Sequence, residues 1–220
     1  MEILDHIDPT HFVEQVQPLL ASKDVAGLLH LLKANWEPEQ LRDLLRSSHM
    51  DARKVALLAL ALVGPGCFAQ ELSHQLRDPD PLINELAEHA LWAVWLRCGK
   101  TSDVNQLVCR GAEKLSHRDF DGAIGLFNQA IKSDPDFAEA YNQRAIAYYL
   151  SENYEKSIAD CRRVTVRMPC HFGAWAGMGH CHAHMGHLPE AIECYEKALS
   201  INPHLHCIKE TVAELKRQLN

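Results

Sequence analysis

The chain has no surplus of basic residues. Its 220 residues hold 22 Lys and Arg against 29 Asp and Glu, a formal net charge of −7. A nucleic-acid surface must neutralise phosphates with cations, so nucleic acid is excluded as an expected partner. No apolar run reaches membrane-spanning length. The start, "MEILDHIDPTHF", is acidic and shows no charged-then-apolar leader, so neither a membrane nor export is expected. The eight cysteines include no CxxC pair and no paired spacing, which argues for reduced thiols in a cytoplasmic protein rather than a disulfide framework. Aromatic residues are few, and Val, Ile and Thr form no alternating runs. Strands are therefore disfavoured, and abundant Leu and Ala favour helices throughout. Nucleophile elbow, HExxH, phosphate loop and paired acids around an apolar pocket are all missing, so no catalytic residue and no cofactor are expected. The single Gly-Lys-Thr, Gly99 to Thr101, lacks the glycine-rich lead and preceding strand of a phosphate loop. It reads as a helix stop followed by an N-cap at Ser102 or Asp103.

What the chain does have is a period. Pro135, Pro169 and Pro203 stand 34 residues apart, and the segments before them, "FDGAIGLFNQAIKSDP", "YEKSIADCRRVTVRMP" and "LPEAIECYEKALSINP", align without a gap. Ala123, Ser157 and Ala191 share one place, Phe127, Cys161 and Tyr195 the next, and Ala130, Val164 and Ala198 a third. A small residue at a fixed place lets two helices approach closely, and proline after each second helix turns the chain into the next unit. Such pairs leave an apolar face open until a neighbour covers it, so they stack.

This pattern resembles the tetratricopeptide repeat. Tyr141, Ala145, Tyr148, Ser157, Cys161, Val164 and Pro169 meet it in the middle copy, and Trp175, Gly179, His182, Ala191, Tyr195, Ala198 and Pro203 in the last. In the first copy Leu107 and Lys114 replace two aromatics, while Gly111, Ala123, Phe127, Ala130 and Pro135 fit. The resemblance implies repeats at 104–137, 138–171 and 172–205 within a domain 101–205, and a capping helix at 206–220.

Residues 1–100 form another expected domain. "SSHMDARKVALLALALVG" (47–64) aligns with "DPDPLINELAEHALWAVW" (78–95) at an offset of 31. The layout is similar to short HEAT repeats of the lyase-like type, with Asn84 where that family has Arg and Arg53 filling the place in the earlier copy. Two further helices are expected over 8–34, with Asp8 as N-cap, Pro9 at the first helical position, and Pro18 kinking or shortening the first. The expected fold class is all-α, an α-α superhelix of HEAT-like pairs followed by three tetratricopeptide units and a cap.

The resemblance to tetratricopeptide repeats implies a protein or peptide partner held in the concave groove, with Asn142, Gln143, Ile146, Tyr149, His180, His184, Glu210 and Glu214 lining it. Family members with a carboxylate clamp hold a partner's C-terminal acid. Here the clamp places read Val108, Ala112, Gln143, Gly173 and Gly177, without a cation, so a chaperone tail is not the expected ligand. His180 and His184, one turn apart, could chelate an ion edge-on but lack the further ligands of a closed zinc site, and no metal is expected. Carboxylates at Glu210 and Glu214 would favour the charged imidazoles, while His182 points into the stack as a core imidazole with one hydrogen bond. The reading is a non-enzymatic adaptor. The alternatives are a homo-oligomeric assembly element and, from the HEAT-like half, a ligand-handling lyase-like protein that would bind a tetrapyrrole.

Overall fold

The computed structural model describes residues 6–219, so the first residues of the acidic start and the end of the capping segment lie outside the described residues. The described chain is all-helical, without a strand. It divides into two compact units between Val94 and Trp95.

The first unit begins with α1 (Pro9–Ala21), whose N-cap Asp8 accepts from the amides of Thr10 and His11. Pro18 does not shorten α1. It sits in the last turn, and both Pro18 and Glu14, whose carbonyl loses its acceptor role, are exposed, so water can serve that carbonyl. There follow α2 (Val25–Asn35), α3 (Pro38–Asp43), α4 (Met50–Val63), α5 (Ala69–Gln75) and α6 (Pro81–Trp95). Phe12, Leu32, Leu41, Leu57, Leu60, Leu72, Leu76 and Ile83 are fully enclosed. The helices α4 and α6 start 31 residues apart, and the two aligned positions both tie down the turn before α6. Arg53 pairs with Asp78 at 3.1 Å, while the Asn84 amide donates to the carbonyls of Gln75 and Asp78 at 3.1 and 2.8 Å. A neutral amide thus does by hydrogen bonds what the guanidinium does by charge.

The second unit contains α7 (Ser102–Ser116), α8 (Phe120–Ser133), α9 (Ala138–Leu150), α10 (Tyr154–Arg167), α11 (Phe172–His184), α12 (Leu188–Ile201) and α13 (His206–Leu219). They form three antiparallel pairs and a final helix. Each pair turns through a left-handed residue at the same place, Arg118, Glu152 and Gly186, with φ of 60°, 61° and 76°. Such a residue closes the first helix and releases the chain into the second. The N-cap of α7 is Thr101, whose hydroxyl accepts from the Val104 amide, rather than Ser102 or Asp103. Lys100 holds the enclosed Asp134 by its backbone amide at 2.9 Å and its ammonium at 3.1 Å. The Gly-Lys-Thr stretch therefore anchors the first repeat. Burial raises the Asp134 pKa, but the Lys100 contacts and the Asp136 amide together outweigh it and the carboxyl ends below its usual value.

Within each pair the two helices touch where the first carries a small residue. A methyl added at Gly179 would lie 2.5 Å from ring carbons of Tyr195, and one at Gly111 would overlap the Phe127 ring. In the middle repeat the same positions are Ala145 and Cys161, packed in one cluster. The volume removed from one helix is returned by the other.

Alanine relieves the backbone-entropy cost of a helical glycine by about 1 kcal/mol, but at Gly179 the clash with a fully enclosed ring costs about 1–3 kcal/mol. Gly179→Ala is therefore expected to lower the melting temperature. Gly125→Ala, in α8 with open space around the added methyl, is expected to raise it. Equal shifts in thermal unfolding of the two variants would refute the close-approach account.

Candidate functional site

Helices α7, α9 and α11 pack side by side and build the face that the repeat pattern makes concave. Its root is a buried polar network. Glu139 and His171 are 1% and 0% exposed. His171 caps α11, its Nδ1 accepting from the Ala174 amide at 3.0 Å. With Nδ1 an acceptor, the ring proton sits on Nε2, which donates to Glu139 Oε2 at 3.0 Å. The other Glu139 oxygen accepts from Gln143 at 2.6 Å and Asn142 at 3.1 Å. Trp95 stacks on the His171 ring at 3.9 Å. A buried carboxylate is tolerable only when its lone pairs are filled, and here three side chains fill them.

That network reassigns Asn142. It is 3% exposed and its amide serves Glu139, so it supports the groove from beneath instead of lining it. Gln143 is half-buried and gives its amide nitrogen to the same carboxylate. Ile146 is 37% exposed and Leu150 46%.

Further along the face, Tyr149, His180 and His184 come together. Tyr149 and His184 share a hydrogen bond of 2.9 Å between the phenol oxygen and Nε2. Two residues not expected in the groove complete the group. Tyr154 stacks on the His184 ring at 5.3 Å and 13°, and the Tyr195 phenol reaches His180 Nδ1 at 2.9 Å. The sequence marks Tyr195 as a packing aromatic, and only the pose of its ring reveals that its hydroxyl emerges beside His180. Tyr154 follows a turn and belongs to no groove position of the repeat pattern. Each imidazole is tied through one ring nitrogen to a different tyrosine. Among the described residues no three His, Cys, Asp or Glu side chains come together in a way that could hold a metal.

Glu210 and Glu214 do not reach these histidines. Both are exposed, and Glu214 pairs with Arg217 on its own helix at 2.6 Å. The expected rise in imidazole pKa is reversed at His180. Although part of its ring stays open to solvent, the protein packed around it, followed by the charge of His184, holds its pKa below the usual histidine value. His182 also differs from expectation. Its Nδ1 is enclosed without a hydrogen bond and its ring lies 5.9 Å from that of His187. Burial lowers its pKa as well. Burial raises the Tyr149 phenol, and pushes the Tyr195 phenol up to about 12. Burial likewise raises the thiols of Cys161 and Cys181, and takes Cys194 up to about 11, so none offers a ready thiolate.

Repeated helix pairs joined by left-handed turns, presenting a concave face of side chains, define a solenoid of the helical-repeat class. Two tetratricopeptide repeat profiles match the chain, over residues 110–169 and 173–205. The chain is 29% identical over 143 residues to a TPR repeat-containing protein of Rhizobium etli, covering 65% of this chain and 69% of that one. It is 27% identical to small glutamine-rich tetratricopeptide repeat-containing protein 2 of Mycosarcoma maydis, over 52% of this chain and 33% of that one. The crystal structure of the Sgt2 TPR domain from Aspergillus fumigatus superposes with a TM-score of 0.52 at 26% identity, covering 54% of this chain and 80% of the domain. The first TPR of Spaghetti (RPAP3) bound to the HSP90 peptide SRMEEVD superposes with a TM-score of 0.51 at 20% identity, covering 53% of this chain and 92% of that one, which shows the shared fold. Residues 110–169 and 173–205 thus form a tetratricopeptide-repeat region of this chain. No helix of its described residues is long and apolar enough to cross a membrane.

A histidine with a depressed folded-state pKa takes its proton more readily in the unfolded chain. Its contribution to stability is complete above the unfolded value of about 6.5 and is lost as the pH falls below it. The melting temperature is therefore expected to drop between about pH 7.5 and about pH 5.5, and to drop less in His180→Gln. Identical pH profiles for wild type and variant would show that His180 is not linked to folding.

Proposed function

We propose that this chain is a non-enzymatic cytoplasmic adaptor that holds an extended or helical segment of a partner protein in the concave groove of residues 102–219. The observation that carries this reading is the pre-assembled Tyr149, Tyr154, His180 and His184 cluster beside the exposed Ile146 and Leu150. Rigid aromatic surface next to apolar side chains binds at low entropic cost, and the phenol and imidazole edges supply polar contacts for a backbone. The buried Glu139–His171 network fixes the helices that carry it.

The adaptor reading also draws support from the tetratricopeptide relatives, although the chain spans about a third of the Mycosarcoma protein. A structural neighbour holds a peptide ending in acidic residues. In this chain the corresponding clamp places are Val108, Ala112, Gln143, Gly173 and Gly177, so a terminal carboxylate would meet no cation there. The segment bound is one recognised by apolar and aromatic contacts. Eight free cysteines suit a reducing compartment.

Selection of random displayed peptides on the whole chain should yield binders whose affinity falls at least about ten-fold in Tyr149→Ala/His184→Ala, a change of about 1.4 kcal/mol, with unfolding temperature close to wild type. Peptides that bind the folded double variant as well as wild type would remove the groove cluster from the binding site.

A further inference from the structure

The outward face of α10 differs from every equivalent face in the chain. Reading back and forward by 34 residues, Arg162 corresponds to Asn128 and Glu196, Arg163 to Gln129 and Lys197, and Lys156 to Gly122 and Glu190. Val166 corresponds to Lys132 and Ser200, both polar. The packing rules of the repeat therefore require neither the cations nor the valine at these places. Val166 is 80% exposed, the most exposed of the large apolar side chains named in the core survey of the described residues.

The charge there is not neutralised from within. The helix carries two acids, Glu155 and Asp160, and Asp160 is enclosed. Asp160 is occupied by Arg144, through Nε at 2.7 Å and a terminal nitrogen at 2.8 Å, and by Arg163 at 2.7 Å. Arg167 reaches over the Tyr141 ring at 4.9 Å, and Arg144 and Arg163 share that ring at 5.5 and 5.7 Å. Three guanidiniums thus crowd one ring, and two of them share one carboxylate. Arg162, Arg163, Val166 and Arg167 remain exposed together, in a chain whose net charge is −7.

We propose that the outward face of α10 is a second docking surface, and that its occupant is a short acidic segment of another protein with one aliphatic side chain set against Val166. The sign of the patch selects carboxylates, since arginine forks pair with them in two-point geometry. The valine selects against a purely ionic ligand. The size selects a segment, because fourteen helical residues extend about 21 Å, and two folded surfaces need about 800 Å² from each partner. The surface lies apart from the groove and does not depend on the groove's assignment.

The test is fluorescence anisotropy of the full-length chain with a labelled 14-residue peptide of Asp and Glu around a central Leu. Saturable binding is expected, weakening as salt rises. Arg162→Glu/Arg167→Glu should lower affinity at least about ten-fold, and Val166→Ser by a smaller factor. These three residues make no ion pair with Asp160, and unchanged helicity and melting temperature would show that the variants fold. Tyr149→Ala/His184→Ala should bind the peptide like wild type, which separates this surface from the groove. The proposal is overturned by an absence of saturable binding, by indifference to the α10 variants, or by equal or tighter binding of a thymidine oligonucleotide. Self-association in sedimentation that is lost in Arg162→Glu/Arg167→Glu would assign the face to a second copy and overturn it as well.

Discussion

The second unit depends on one steric constraint, the close approach of two helices at a paired small and large side chain. Gly111 receives Phe127 and Gly179 receives Tyr195, with no space for even one methyl between them. In the middle repeat Ala145 and Cys161 divide the same volume differently. Close packing allows such exchanges only as compensated pairs. Once the pairs are set at one distance, the left-handed residues at Arg118, Glu152 and Gly186 fix the direction of each second helix. The first helices then carry Tyr149, His180 and His184, and the second helices add Tyr154 and Tyr195 to the same cluster.

The two faces use that geometry in different ways. Toward the concave side, the Tyr195 ring that fills the gap left by Gly179 also brings its phenol to His180. Packing and surface chemistry are carried by one residue. Beneath the groove, Glu139 is buried with His171, Asn142 and Gln143 around it. Removing one partner would leave a buried charge unsatisfied, which costs far more than the bonds add in water. The network therefore ties α9 to the start of α11, the two helices that carry Tyr149, His180 and His184. On the outer side of α10, Arg163 and Arg167 are held by Asp160 and the Tyr141 ring, while Val166 stands in solvent.

The HEAT-like pattern of the first unit had a physical counterpart at one point. The offset of 31 placed Arg53 and Asn84 in equivalent positions, and both secure the turn before α6. That shows two helices organised around a common turn. The similarity to short HEAT repeats remains one of layout.

The sequence by itself determined the helical class, the 34-residue period and the place of every helix pair in the second unit. These follow from spacing, because a period repeated three times leaves one register in which apolar faces meet. It did not determine partners of polar side chains. Asn142 counted as a groove residue from its position, but its amide is taken by Glu139, which the folded chain buries against His171 from 32 residues away. Glu210 and Glu214 stood on the correct helix, yet an arginine three residues away captured Glu214. The pKa of His180 is lowered, opposite to the expectation, because the protein packed against part of its ring and the charge of His184 both disfavour its proton. Periodicity is a one-dimensional signal that survives in the sequence. Desolvation and the choice among competing hydrogen-bond partners depend on distances between distant segments, and those exist only after the helices have packed.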